Sequence, residues 1–388
     1  MTRILTLASL LLLGTPSLVS ALSSCVAFDI DWNLLVFGYG DKDYSAGQNT
    51  TWSSSSASAT DITKDGRPPF TGTNVTCYLS EYTNAIYVLG ADADSPSDIY
   101  IYDATAESWS TQNVTTGDFD PSDFVTILDH DTNYFYALSN GELYNLNMGL
   151  LKTANSTPVV WDSVSAPAHF STDGYRPVMA LANNHIHFLD TPDSQAGYAY
   201  IFVIHYSYWQ PAAQHYGDFP ATHGQTTSIF QEDGVQLEFV FVPDDCSATY
   251  VIDVLTNTTQ TLAAPSANDS SAVYFASPYS IVQLASTGEI SYLPYVYDDN
   301  TTNAAATWSS VKSLVSVEPS SGVSGSTSTA ASSGAASSTA KSSGTSTAKG
   351  SLSTTSSTSS SSSAASGKQV GTVLASTALL ATLGLAFL

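Results

Sequence analysis

Short apolar runs, broken by clusters of Gly, Asp, Asn, Pro and Ser, fill the chain from residue 22 to residue 316, and none holds a helical period beyond two turns. Runs this short, rich in Tyr, Phe, Val, Ile and Thr, predict β-strands. They recur. Leu34–Phe37, Ile86–Leu89, Phe135–Leu138, Ile186–Leu189, Phe239–Val242 and Ile281–Leu284 start 52, 49, 51, 53 and 42 residues apart. A second series keeps step with the first: Trp52, Trp109, Trp161 and Trp209 are separated by 57, 52 and 48 residues. Trp308 follows after 99, as though a slot near Thr261 had lost its Trp.

A repeat of roughly fifty residues, holding about four short strands, has the size of a propeller blade. Six such units fit the core. The fold class predicted is therefore all-β, a six-bladed β-propeller, against the alternative of a β-sandwich whose aromatics are spaced by chance. In a ring of blades each sheet buries both faces against its neighbours, and the 22 Tyr and 6 Trp supply wedges for packing that widens outward. Ring closure is expected to pair the two chain ends in one sheet, with Val311–Val317 adding a strand to the blade begun by Cys25–Phe28.

One unit is especially clear: Ala85-Ile86-Tyr87-Val88-Leu89-Gly90, an acidic loop, Asp98-Ile99-Tyr100-Ile101-Tyr102-Asp103, a turn, and Glu107-Ser108-Trp109. It resembles a kelch-type blade, in which an apolar strand ends in glycine, a Tyr-containing strand follows, and a Trp comes a few residues later. Leu34-Leu35-Val36-Phe37-Gly38-Tyr39-Gly40 echoes the first part and Tyr250-Val251-Ile252-Asp253-Val254 the second. The family's paired glycines are missing from most units, with Ser139 and Asp190 where glycine is expected.

The two ends change the picture of where such a domain works. Residues 1–21 combine Arg3, an apolar Ile4–Leu13 stretch and a small-residue Val19-Ser20-Ala21 site, the pattern of a removed secretory signal peptide. After the core comes a stalk, residues 317–365, of Ser, Thr, Ala and Gly, which lacks the apolar surface to offset its chain entropy and is expected to be disordered and O-glycosylated. Residues 366–388 end in the apolar Val370–Leu388 with no basic residue beyond it, the pattern of a glycosylphosphatidylinositol attachment signal rather than a membrane span. Attachment is expected within Ser360, Ser361, Ser362, Ser363, Ala364, Ala365 and Ser366. The layout resembles that of fungal cell-surface proteins. It implies passage through the secretory pathway and a lipid anchor in the outer leaflet, or later transfer to the wall.

Charge excludes one partner class. The core carries six Lys and Arg against 33 Asp and Glu, a formal charge of −27. Nucleic acid, whose binding depends on basic side chains releasing counterions, is excluded. Seven Asn-x-Ser/Thr sites, at Asn49, Asn74, Asn113, Asn155, Asn257, Asn268 and Asn300, fit a glycosylated exterior. Three cysteines in an oxidising compartment give one disulfide and one thiol. Cys25 and Cys77 stand near the first strand of consecutive repeats, so they are the expected pair and Cys246, in a Pro-Asp-Asp-Cys turn, the free thiol.

Candidate chemistry is sparse. His185 and His187 alternate on one strand and share a face, so they are candidate Zn or Cu ligands if His205, His215, His223 or a carboxylate approaches them. The competing expectation is that His187 packs as a polar aromatic, as Tyr87 does one repeat-pair earlier, with the loop histidines facing solvent. Acidic loops at Asp92-Ala93-Asp94, Asp244-Asp245 and Asp298-Asp299 match no calcium-loop spacing. Sialidases clamp their substrate with three arginines, and the core holds only Arg67 and Arg176; the same shortage excludes a six-fold repeated fucose-lectin pocket. Copper oxidases on the kelch fold need a Cys cross-linked to Tyr, for which Cys77 and Tyr78 supply the residue types. Paired glycosidase carboxylates are not locatable among so many Asp. The sequence predicts no catalytic residues and no cofactor. The expected function is a displayed, non-catalytic protein for binding, adhesion or wall organisation, with an extracellular glycan or protein as partner. A carbohydrate-active or oxidative propeller enzyme is the alternative.

Overall fold

The computed structural model describes residues 23–317. The signal peptide, the stalk beyond Val317 and the anchor region Ser360–Ser366 lie outside the described residues. The described chain is all-β. Its strands form six antiparallel four-stranded meanders, each made of consecutive chain. The first contains β1 (Cys25–Phe28), β2 (Leu34–Tyr39), β3 (Lys42–Gly47) and β4 (Thr60–Asp61). The second contains β5 (Thr76–Ser80), β6 (Ala85–Leu89), β7 (Ile99–Asp103) and β8 (Ser108–Gln112). A short β9 (Val114–Thr115) crosses to pair in parallel with the third meander, which is β10 (Val125–Asp129), β11 (Tyr134–Ser139), β12 (Glu142–Asn147) and β13 (Val159–Ser163).

The fourth contains β14 (Val178–Ala182), β15 (His185–Leu189), β16 (Tyr198–Val203) and β17 (Tyr208–Trp209), with β18 (Gln214–His215) pairing beside β17 on β16. The fifth contains β19 (Gly224–Ile229), β20 (Glu238–Pro243), β21 (Thr249–Asp253) and β22 (Thr258–Leu262). The sixth contains β23 (Val273–Ser277), β24 (Ser280–Leu284), β25 (Ile290–Pro294) and β26 (Ser309–Ser310). One parallel bridge, Ile229 opposite Ala276, joins the fifth and sixth into an eight-stranded sheet, so the six meanders make five sheets.

All six apolar landmark runs are second strands, in β2, β6, β11, β15, β20 and β24. A second strand has a partner on each edge and neighbouring sheets on both faces, so strands such as β6 and β24 are buried at every position and not at alternate ones, and they are mostly apolar. The core accordingly sits between successive meanders. One apolar cluster joins the second to the third, and others the third to the fourth, the fourth to the fifth and the fifth to the sixth; the largest closes the sixth, first and second together. Two face-packed sheets would share one interior, and the sandwich alternative fails on this point. Trp109, Trp161 and Trp209 occupy fourth strands opposite Tyr102, Leu146 and Phe202. The matching position in β22, opposite Ile252, is Thr259, which locates the missing Trp two residues from the expected slot. Trp209 and Trp308 each donate their indole N–H, at 3.0 Å, to a carbonyl of the segment leaving the preceding meander, Ala166 and Ala263.

First strands stand side by side in a circuit: β1 beside β5 and β23, β14 beside β10 and β19, and β19 beside β23. Each seam is fastened differently. The Cys25–Cys77 disulfide joins β1 to β5, with Cα atoms 5.7 Å apart. Tyr78 Oη donates to Thr126 O at 3.1 Å between β5 and β10. Between β10 and β14, Ile127 packs against the apolar cluster to which Met179 and Leu181 belong. Thr226 and Ser228 donate their hydroxyls to Met179 O and Leu181 O between β14 and β19. Phe28 meets Phe275 edge-on, 5.9 Å between centroids, between β1 and β23.

The chain ends differ from expectation. Val311–Val317 adds no strand to the first sheet; its residues Lys312–Val315 form a single helical turn, α1. The cause is spacing, because Val311 and Leu314, three apart, both bury against the first meander, which suits a helix and not a strand. Backbone bonds from Lys312 N to Trp52 O (2.9 Å) and from Ala59 N to Ser313 O (3.2 Å) tie the ends together instead. Where Asp190 replaces the expected glycine, it takes the glycine's left-handed backbone at φ 51°.

Candidate functional site: a central cavity and a tyrosine-bearing face

The circuit of first strands encloses a cavity of about 560 Å³. It opens where these strands begin, at a rim that includes exposed Thr73, Asn74, Ser122 and Ser271. It is floored near the other end by Phe230 and Phe275, whose rings stack with centroids 5.7 Å apart, and by His130, 4.4 Å from Phe230. Burial pushes the His130 imidazole down to about 3, so the floor is uncharged. In a chain this acidic, the lining contains neither Asp nor Glu.

Beyond the floor the end is closed. The loop between β19 and β20 crosses it, and Gln236 Nε2 donates to Glu81 Oε2 in the β5–β6 turn at 3.3 Å. Burial pushes the Glu81 carboxyl up to about 7. The turns at this end are laced around the axis. Ile30 N donates to Asn84 Oδ1 (3.2 Å), Tyr82 Oη to Asp131 O (2.8 Å), Asn183 N to Gln236 O (2.6 Å), and Tyr279 Oη to Glu232 Oε1.

In an antiparallel meander, the first-to-second and third-to-fourth turns lie at the same end. Nine of the twelve exposed large apolar side chains among the described residues fall at these turns: Ile30, Tyr82, Leu150, Tyr206, Tyr208, Leu255, Tyr279, Val296 and Tyr297. All nine are therefore at the closed end. Tyr82 is 61% exposed and Tyr206 83%. Tyr82 keeps its ring in solvent although its hydroxyl is bonded to the neighbouring turn, so its orientation is set before any ligand arrives.

Each predicted site residue within the described chain has a definite place. His187 is 1% exposed, with Nε2 3.1 Å from Tyr216 Oη and its ring 5.4 Å from that of Phe239, so it packs as a polar aromatic. Burial first, then the neighbouring His185, pushes it down to about 3. His185 lies 6.5 Å from it, ring to ring. His205 and His215 are exposed, but His223 is not a free loop histidine: its Nδ1 meets Asp244 at 2.9 Å. Among the described residues no three His, Cys, Asp or Glu side chains come together as a metal set. The acidic loops are used locally, Asp92 Oδ2 accepting from Tyr100 Oη at 2.8 Å and Asp299 Oδ1 from Thr302 N at 2.9 Å. Arg67 grips the fully buried Asp43 with two bonds of 2.9 and 2.7 Å. Cys77, being in the disulfide, has no sulfur left for a link to tyrosine, and Cys246 is the buried free thiol. Of the sequon asparagines, Asn49 is half-buried and the other six are exposed.

Among the described residues no helix is long and apolar enough to cross a membrane. No protein-family model matches the chain, and no curated protein matches it.

Proposed function

We propose that the core is a six-bladed, kelch-like β-propeller that acts as a binding module at the cell surface, carried on the Ser/Thr-rich stalk by a lipid anchor. The blade reading is supported by six consecutive meanders, apolar clusters between neighbours and the circuit of first strands. The observation that carries the binding function is the partition of exposed apolar side chains onto one end. Scattered single apolar residues need no explanation, but nine of twelve at one end do. Tyr suits a surface that must stay soluble and still bind, because it offers a wide ring with a polar tip at low entropic cost.

The binding sector centres on Tyr82, Tyr206 and Tyr208. Third-to-fourth loops of the first, third, fifth and sixth meanders carry the sequons Asn49, Asn155, Asn257 and Asn300, whereas that of the fourth carries His205 and Tyr206 and leads into Tyr208, the first residue of β17. The acid-free cavity lacks the two facing carboxylates of a glycosidase, and Cys77 is committed elsewhere, so neither enzyme reading gains a site.

The test is a glycan array and a cell-adhesion assay on the secreted protein, followed by Tyr82→Ala/Tyr206→Ala. Losing two aromatic anchors removes about 2 kcal/mol or more of binding, roughly thirtyfold in affinity. A variant that binds as tightly as the parent refutes the tyrosine face. The anchor has its own check: phosphatidylinositol-specific phospholipase releases the protein from membranes, and a mature C-terminal peptide ending at Leu388 would refute attachment near Ser360–Ser366.

A further inference from the structure

We infer that the central cavity is a second binding site, at the opposite end from the tyrosine face, for an uncharged polyhydroxylated ring compound the size of a mono- or disaccharide. Its volume, about 560 Å³, is that of small-molecule pockets.

Charge decides the class. The lining contains no Asp or Glu, and Arg176 and the His223 imidazole both stand at the open rim. Each already faces an acid of a neighbouring turn: His223 Nδ1 is bonded to Asp244, and Arg176 attracts Asp190. The neutral floor adds no charge. A carboxylate or ammonium moving inward would leave water and meet no counter-charge, whereas a neutral ligand loses only hydrogen bonds that the walls replace.

Those walls are rich in donors and acceptors. β1, β5, β10 and β14 each pair along one edge only, with β2, β6, β11 and β15. Consecutive residues of these strands, such as 124–128 and 177–181, line the cavity, as happens when a strand presents an edge rather than a face. Thr126 O, Met179 O and Leu181 O on these edges accept the seam hydroxyls of Tyr78, Thr226 and Ser228, and the remaining edge N–H and C=O groups face the space. Thr76, Gln225 and Thr227 add side-chain groups. The Phe230–Phe275 floor supplies an apolar surface for the C–H face of a ring whose hydroxyls meet the walls.

The experiment is titration calorimetry on the full-length secreted protein with neutral mono- and disaccharides, each compared with its matched uronic acid and amino sugar. At least one neutral sugar binds saturably, and its charged analogues bind about tenfold or more weakly. Thr227→Trp, which fills the cavity, abolishes binding, Gln225→Ala weakens it several-fold, and Tyr82→Ala leaves it unchanged. The last variant separates this site from the tyrosine face, so either fails without the other. Equal binding of charged and neutral forms, no binding by any neutral sugar, or full binding by folded Thr227→Trp protein overturns the inference. If Thr227→Trp does not fold, an unchanged affinity in Gln225→Ala does so.

Discussion

Replacing Cys25 and Cys77 together by alanine lowers the free energy of unfolding by about 4 kcal/mol. The two residues are 52 apart in sequence. In the chain-entropy account, a cross-link closing a loop of that length removes about 14 cal/mol/K from the unfolded chain, or about 4 kcal/mol at 25 °C. Both side chains are buried, so the alanines forfeit little packing beyond the sulfurs themselves. Position adds to the effect. The bond is the fastener of the β1–β5 seam, and β1 also borders β23, where the last meander meets the first. A loss of this size is a large part of the roughly 5–15 kcal/mol by which domains are usually stable. Guanidinium unfolding of parent and variant measures it directly, with reductant added to the parent as a second arm. A difference below about 1 kcal/mol, or a parent whose unfolding midpoint does not move when the disulfide is reduced, refutes the assignment of stability to this bond.

Much of this arrangement is legible in the sequence, for physical reasons that also mark the limit. Second strands are buried on both faces, so Ile86–Leu89 or Phe239–Val242 stand out as unbroken apolar runs. Trp109, Trp161 and Trp209 repeat because each wedges between consecutive meanders. Cys25 and Cys77 occupy matching first strands of neighbouring repeats, so their spacing equals the repeat. Other features have no local signal. The pairing of His223 with Asp244 depends on two turns meeting across the β19–β20 hairpin, 21 residues apart. Val311–Val317 is apolar in a way that suits a strand, and only the contact of Val311 and Leu314 with the first meander makes it helical. The tyrosine face is invisible until each turn is assigned to an end, since Tyr82, Tyr206 and Tyr279 are far apart along the chain. The acid-free cavity is a property of which strand edges converge, and no single residue announces it.

Glu238, like Glu81, makes stability fall as pH rises. It opens β20, the fifth landmark strand, and is 6% exposed. Tyr295 Oη donates to its Oε2 at 2.6 Å. Burial pushes the carboxyl up to about 7, with Asp253 and Asp298 adding to the shift and the Tyr295 bond opposing it. Below pH 4.5 both folded and unfolded chains hold this proton, and the neutral acid costs nothing further. Between pH 4.5 and 7 the unfolded chain releases it while the folded chain keeps it, so stability falls by about 1.4 kcal/mol per pH unit, about 3 kcal/mol in all. His187 acts in the opposite sense. Its depressed value means that the unfolded chain gains a proton below pH 6.5 which the folded chain refuses down to about pH 3, so stability falls as the medium is acidified. Between pH 4.5 and 6.5 the two slopes oppose each other, as do those of Glu81 and His130, which are shifted in the same two directions, so the four contributions leave a plateau there. Glu238→Gln keeps a carbonyl oxygen for Tyr295 and cannot ionise. Its stability relative to the parent therefore rises by about 3 kcal/mol from pH 4.5 to 7.5, with most of the change complete by pH 7. Urea midpoints measured for both proteins across that range read the difference, and parallel profiles would show that Glu238 ionises at an ordinary pH in the folded chain.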